Sequence, residues 1–244
     1  CHWVYRKVDR IVVLSPGFKR LLISRGVPEQ KIDVIYNWCD ESSVQNLCGK
    51  IPKGFPGSER FRVVFAGNMG KAQALDTVVE SAELLVDKCP EACFVLVGSG
   101  IEVDALKRSV AARELKNVVF VPRVPMGEVG AILAAADVLL VHLKDDPLFE
   151  ITIPSKTQAY MAIGKPVLMA VRGDAAALVE NASCGVTAIP GNPQSLADAV
   201  MRLFLMDTNS RAEMAENSRR YYERELSLTV GAERFASHFR ELAA

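Results

Sequence analysis

The chain has 244 residues, half of them apolar, and its 29 basic and 29 acidic side chains leave no net charge at neutral pH. This length allows one large domain, or one domain with part of another, and the lack of a basic surplus argues against a nucleic-acid partner. No run of about 18 apolar residues and no signal peptide are visible, so we expect no membrane-spanning segment.

The first part of the chain predicts a strand–helix–strand unit. Residues 10–15 form an apolar run that predicts a buried strand. Ser15 and Pro16 then predict the start of a helix that ends near Gly26, because serine caps helices and proline suits the first turn. Residues 31–36 predict the second strand.

Residues 37–59 are rich in proline and glycine and predict a linker. Beyond residue 60, apolar runs alternate regularly with helical patterns. Strands are predicted at 61–66, 93–97, 118–121, 138–143, 166–171 and 185–188. Helices are predicted at 74–88, 102–113, 126–135, 175–180, 193–206, 211–225 and 230–242. This alternation predicts an α/β fold, a doubly wound, Rossmann-like parallel sheet with helices on both faces.

Residues 149–167 carry the most informative motif. A polar loop leads into a short helix at Ser155 and Lys156, Gly164 follows as a C-cap, and a buried strand comes next. The N-terminus of a helix has free N–H groups that can bind an anion, and parallel sheets bind phosphorylated ligands at such joints. An ordinary strand–loop–helix connection is the alternative.

A second candidate loop follows the first strand of the sheet. Gly67, Asn68, Gly70 and Lys71 form a Gly-x-x-Gly turn, where the backbone can approach a ligand closely and Lys71 can reach a diphosphate. The spacing is not that of a dinucleotide fingerprint, Gly-x-Gly-x-x-Gly. A simple tight turn is the alternative.

Three further loops follow strands and so lie at the same edge of the predicted sheet. Gly98 can contact a ligand through its backbone, and Val121 with Arg123 can support a base, although a plain loop and a surface ion pair are the alternatives. The loop from His142 to Glu150 carries the carboxylates of Asp145, Asp146 and Glu150, which can orient a sugar, although solvated surface acids are the alternative. His142, a lone histidine ending an apolar strand, is favoured as a structural residue.

The six cysteines include no Cys-x-x-Cys pair, and no histidine stands at zinc-finger spacing. Scattered cysteines are typical of reduced core residues. We therefore expect no metal site, no cofactor and a cytoplasmic protein. The chain opens with Cys1 inside an apparent helix, which predicts a fragment of a longer protein.

Several phrases together resemble the C-terminal half of family 4 retaining glycosyltransferases, which have the GT-B fold. They are residues 9–18 (DRIVVLSPGF), 34–38 (VIYNW), 65–70 (FAGNMG), 135–141 (AADVLLV) and 154–156 (PSK). The likeness is to bacterial surface-polysaccharide enzymes of capsule, O-antigen or colanic acid synthesis, of the kind that transfer N-acetylfucosamine. It covers nearly the whole chain.

The resemblance implies a division of labour along the chain. Residues 1–45 would end an acceptor-binding domain, 46–59 would be the linker, 60–225 would bind the nucleotide-sugar donor, and 226–244 would return to the first domain. The expected donor is a UDP-sugar. A lipid-linked acceptor would place the full-length enzyme at the inner face of the plasma membrane as a peripheral protein.

The resemblance also implies which residues bind the donor. The 67–71 turn and Gly98 would lie near the phosphates, Val121 and Arg123 near the base, and the 150–156 loop near the sugar and phosphate. The residues implied in that last loop are Glu150, Thr152, Ile153, Pro154, Ser155 and Lys156. No catalytic base is identified.

Two departures from the family pattern stand out. The family often carries two glutamates where this chain has Ile151 and Ala159, and an arginine and a lysine where it has Asn68 and Gln73. Lys71 is the substitute that the sequence offers for those cations. Two other functions stay open: a nucleotide-sugar epimerase of the same architecture and a non-catalytic nucleotide-sugar-binding module.

Overall fold

A computed structural model of the chain describes residues 2–47 and 49–243. Its first part contains helix α1 (His2–Lys7), strand β1 (Ile11–Val13), helix α2 (Pro16–Ser24), strand β2 (Ile32–Val34) and helix α3 (Glu41–Gln45). Strands β1 and β2 are parallel. The predicted cap is confirmed, because the Ser15 hydroxyl accepts a hydrogen bond from the backbone N–H of Phe18 at 3.2 Å.

The main sheet has six parallel strands. They are β3 (Phe61–Asn68), β4 (Ala92–Ser99), β5 (Val118–Pro122), β6 (Val138–His142), β7 (Val167–Ala170) and β8 (Gly185–Thr187). The strand order is β5-β4-β3-β6-β7-β8. This is the doubly wound order, and it confirms the predicted α/β, Rossmann-like fold.

Helices cover both faces of this sheet. They are α4 (Asp76–Leu85), α5 (Val103–Ala112), α6 (Met126–Ala134), α7 (Pro147–Glu150), α8 (Lys156–Ile163), α9 (Asp174–Ala182) and α10 (Pro193–Leu205). On one face, Val78 of α4 and Leu196 of α10 are fully buried against the strands. On the other, Ile132 of α6, Tyr160 of α8 and Val179 of α9 are buried in the same way. Each burial of a large apolar side chain contributes about 1.5–3 kcal/mol.

Two strands are longer than predicted, and two short helices lie in segments predicted as linker or loop. Strands β3 and β4 continue into the glycine turns, because their ladder extends through Gly67 opposite Gly98. Helix α3 lies within the predicted linker, where the Asp40 carboxylate caps it. Helix α7 interrupts the predicted polar loop, because Asp146 caps it through the N–H of Leu148 at 3.0 Å. Side-chain caps of this kind stabilise a short helix that apolar periodicity does not predict.

The C-terminal helices return to the first part of the chain. Helix α11 (Thr208–Tyr221) continues through a π-helical turn into α12 (Leu228–Ala243). Glu41 accepts hydrogen bonds from the Tyr222 hydroxyl and the Leu228 N–H, both at 2.9 Å, and Gly231 lies against the Trp38 ring. The domain division at residues 45, 59 and 225 stays a prediction. Among the described residues, no helix is both long and apolar enough to cross a membrane.

Candidate functional site

The site is built at the point where the strand order reverses, between β3 and β6. The ladder between these strands pairs Val63 with Val138 and Val64 with Leu139 and goes no further. Beyond that level no ladder joins the two strands, and we call the region at their carboxyl ends, around residues 65–68 and 142–143, the crevice. This is the position at which open parallel sheets bind ligands.

Tyr160 of α8 occupies the hydrogen-bonding groups that the parting strands leave free. Its hydroxyl accepts from the Ala66 N–H at 2.8 Å and donates to the Ala66 carbonyl at 3.2 Å. The ring is 1 % exposed. Burial raises the pKa of Tyr160, so the phenol stays neutral and keeps both hydrogen bonds to Ala66 near the end of β3.

Lys156, the first residue of α8, extends its side chain into this crevice. Its Nζ is buried without a hydrogen-bond partner and lies 3.4 Å from the centroid of the Phe65 ring. Burial lowers the pKa of Lys156 to about 7. A buried cation without a counter-charge is destabilising. An anion bound in the crevice would supply that counter-charge.

His142 ends β6 in the same region and is fully buried. Its Nδ1 lies 2.7 Å from the Gln73 carbonyl, which can only accept, so Nδ1 carries the proton. Its Nε2 has no partner, nor has the hydroxyl of Thr157 in the first turn of α8. Burial lowers the pKa of His142, and the charge of Lys156 lowers it further. The lone histidine therefore has an unpaired nitrogen beside the lysine, a role that its apolar sequence context did not reveal.

Two glycines let the backbone come close to this cluster. Gly67 has φ +141°, and a Cβ there would lie 3.1 Å from Lys156 Nζ. Gly98 has φ +138°, and a Cβ there would lie 2.0 Å from the Gly67 carbonyl oxygen. Both conformations and both approaches require glycine.

The turn after Gly67 is held by Gln73. Its Oε1 accepts from the Gly70 N–H at 3.0 Å and from Asn68 Nδ2 at 3.4 Å. Lys71 is exposed between them. Gln73, which stands where the resembling family favours a cation, thus shapes the turn.

The 150–156 loop distributes its residues over different roles. Thr152 donates its hydroxyl to the Leu148 carbonyl at 2.7 Å, and Ile153 is buried in the core. Pro154 accepts the Thr157 N–H, while Ser155 is exposed at the start of α8. The Ser155 and Lys156 end of the loop therefore lies at the crevice.

Glu150 and the expected base-binding residues lie elsewhere along the same edge. Glu150 lines a separate cavity of 460 Å³ with Arg172, at the carboxyl ends of β7 and β8. Val121 is buried in β5, so only its backbone is available, and Arg123 is exposed just beyond that strand, two strands from β3.

A contact with the first part of the chain borders the loop and was not predicted. The buried Asp174 carboxylate, at the start of α9, accepts from the Gly17 N–H and from Arg20 at 2.8 Å. Ile151 packs directly on Gly17, where a Cβ would lie 2.6 Å from the Ile151 side chain. Ile151, which stands in the place of a usual family glutamate, thus joins the two parts of the chain.

The geometry of the crevice indicates the class of ligand that it binds. A switch-point crevice with glycine turns, a helix N-terminus and buried unpaired nitrogens is typical of α/β domains that bind nucleotide phosphates. In the described ranges, no group of three histidine, cysteine or acidic side chains is placed to hold a metal ion.

The family description "Glycosyl transferases group 1" matches residues 50–221, and the chain belongs to that family. It is 26 % identical to "Probable glycosyltransferase WbjE" of Pseudomonas aeruginosa over 98 % of this chain and 60 % of that protein. It is 25 % identical to "Putative colanic acid biosynthesis glycosyl transferase WcaI" of Escherichia coli K12, over 64 % of this chain and 39 % of that one.

Solved structures show the same fold. The crystal structure of Anabaena Alr3699/HepE in complex with UDP superposes with a TM-score of 0.82 at 20 % identity, over 98 % of this chain and 66 % of that chain. A glycosyltransferase from Rickettsia africae also gives a TM-score of 0.82, at 16 % identity, over 99 % of this chain and 66 % of that chain. The chain spans at most about 60 % of the length of the curated relatives named here.

Proposed function

We propose that this chain supplies the donor-binding part of a retaining glycosyltransferase that uses a nucleotide-diphosphate sugar in polysaccharide synthesis. One observation carries the proposal: Lys156 Nζ is buried and unpaired in the switch-point crevice. A diphosphate is the ligand whose charge and size best suit an isolated cation beside a helix N-terminus and glycine turns.

The expected donor is a UDP-sugar. Two observations on relatives support this choice, since the similar Anabaena protein was crystallised with UDP and also with UDP-glucose. The name of WcaI, a putative colanic acid biosynthesis glycosyl transferase, supports an acceptor in polysaccharide synthesis. The transfer of an acetamidosugar such as N-acetylfucosamine to a lipid-linked acceptor at the inner face of the membrane belongs to the same proposal.

In the reaction, the bond between the anomeric carbon and the diphosphate oxygen breaks, and its electron pair leaves with the diphosphate. A bond forms from the acceptor hydroxyl oxygen to the same face of the sugar, and the hydroxyl proton is released. Lys156, Ser155 and the N–H groups of α8 stabilise the charge that develops on the diphosphate, with Lys71 as a second cation. Positive groups placed in advance lower the barrier without a metal ion.

Two of the three carboxylates that an epimerase could use, in the loop from His142 to Glu150, are engaged in ion pairs. Asp145 pairs with Arg172 at 3.1 Å, and Asp146 pairs with Lys144 at 3.0 Å. These contacts favour transfer over epimerisation. A non-catalytic binding module would share the donor site and differ only in turnover by the full-length protein.

Calorimetric titration with UDP, GDP and UDP-N-acetylglucosamine tests the donor site. Loss of one charge-assisted hydrogen bond costs about 1.5–3 kcal/mol, so Lys156→Met should weaken UDP binding about ten- to a hundredfold. Lys71→Ala should weaken it less, because Lys71 is exposed. Lys88→Met is the matched control, since Lys88 is exposed after α4, at the opposite edge of the sheet. Equal affinity in Lys156→Met and wild type would refute the assignment.

A further inference from the structure

His142 is oriented by the main chain rather than by a side chain that could change its protonation. The Gln73 carbonyl accepts a hydrogen bond from Nδ1–H, with 2.7 Å between nitrogen and oxygen, so the ring has one fixed tautomer and Nε2 is the only site left to titrate. That atom is buried and unpartnered. A buried polar atom without a partner is rare unless a ligand or water completes it.

The position of His142 places Nε2 at the same crevice as the lysine. Its hydrogen bond to the Gln73 carbonyl brings His142 to the loop that follows β3, and the charge of Lys156 acts on its ring. A Cβ at Gly67, just before that loop, would lie 3.1 Å from Lys156 Nζ. A ligand that reaches Lys156 between the parted strands therefore also meets His142.

The charges around the ring leave it neutral until an anion arrives. Burial, the largest effect on the pKa of His142, opposes the charged imidazolium, and so does Lys156 of α8, whereas the hydrogen bond to the Gln73 carbonyl and the charge of Asp76 of α4 favour it. Lys144, the nearest cation along the chain, is held by Asp146 at 3.0 Å. The side chains of Lys156 and His142 can both be charged only when several negative charges lie between them.

We propose, resting on the donor site above, that His142 is a second diphosphate contact that binds one proton from solvent as the ligand enters. Its Nε2–H then donates to a phosphate oxygen, while Nδ1–H remains on the Gln73 carbonyl. No other bond forms or breaks. Donor binding is thereby coupled to proton uptake, and release of the diphosphate returns the proton.

Nitrogen NMR of the imidazole rings tests this directly at pH 8, where the last ionisation of UDP, with a pKa of about 6, is complete. The chain has three histidines, and His142→Asn assigns the signal while keeping an N–H for the Gln73 carbonyl. We expect the Nδ1–H tautomer in the free protein and a doubly protonated ring at saturating UDP. A ring that stays neutral at saturation would overturn the inference.

Calorimetry in two buffers of different ionisation enthalpy counts the protons. Lys156→Arg removes the contribution of the lysine, because a guanidinium stays charged. In that variant we expect uptake of about one proton for each UDP bound, and none after His142→Asn is added. Binding to Lys156→Arg without uptake would contradict the role of His142 but leave the donor site intact. Failure of wild type to bind UDP or GDP would instead overturn the donor site, and this inference with it.

Discussion

Replacement of Tyr160 by phenylalanine tests how the crevice is kept open. The substitution keeps the buried ring and removes only the hydroxyl, which satisfies both the N–H and the carbonyl of Ala66. No other strand can take over these bonds, because the β3–β6 ladder ends at Val64. The variant therefore leaves a donor and an acceptor unpaired beside a ring that is 1 % exposed.

The substitution should lower the free energy of unfolding by about 1–3 kcal/mol. This range allows for two unsatisfied polar groups, offset in part because the phenol hydroxyl no longer has to be desolvated. For a protein of this size, each kcal/mol lowers the melting temperature by about 2–4 °C. Tyr160→Phe should therefore melt about 2–12 °C below wild type in scanning calorimetry. Urea unfolding gives the free energy independently.

Tyr221→Phe is the matched control, since Tyr221 is only partly buried, and we expect its stability to change by less than about 0.5 kcal/mol. Equal stabilities of Tyr160→Phe and wild type would refute the reasoning. That result would mean that the strands close, or that water enters, when the phenol is removed. The crevice would then not depend on Tyr160.

Three further predictions concern charge and backbone around the same site. The pKa of Lys156 is about 7 in the folded chain and 10.5 ordinarily, so between these values the unfolded chain binds more protons. The free energy of unfolding, measured in urea, should therefore rise by about 2 kcal/mol from pH 7 to pH 9. The rise should be absent in Lys156→Met; an identical rise there would contradict it. Asp174→Asn should lose about 1.5–3 kcal/mol of stability, since it weakens one buried and one partly buried hydrogen bond to the first part of the chain. Asp87→Asn, at an exposed position, should lose none; equal stabilities of the two variants would count against the contact. Gly67→Ala and Gly26→Ala should each lose about 1 kcal/mol or more of stability, because both glycines have positive φ. Only Gly67→Ala should lose UDP affinity in calorimetry, because only its Cβ would meet Lys156. Loss of UDP affinity in both variants would point to a general effect on folding.

The sequence predicted the fold class through local rules that tertiary contacts did not override. Apolar runs such as residues 138–143 indicated strands buried on both faces, and the observed β6 is buried throughout. Ser15 capped its helix as expected, and Gly164 ended α8 with φ +70°. These signals are strong because each depends on the chemistry of a few neighbouring residues.

The sequence also identified the loops that could form a site, since every carboxyl end of a parallel strand lies at one edge. It could not rank the residues within them. The Thr152 hydroxyl donates to the Leu148 carbonyl. Gln73, at a position where the resembling family favours a cation, bonds to the backbone of the glycine turn. Such roles depend on side-chain partners several residues away.

The tertiary structure alone decided the chemistry of the crevice. The sequence indicated Lys156 as an anion-binding residue but favoured a structural role for His142. In the structure both have a buried nitrogen without a partner, beyond the two paired positions of the β3–β6 ladder, where Tyr160 bonds to Ala66. Burial, which lowers the pKa of both, is a property of the assembled layers. Local sequence determines which elements form, whereas the distance between residues remote along the chain, and with it their desolvation and charge, is set only by packing.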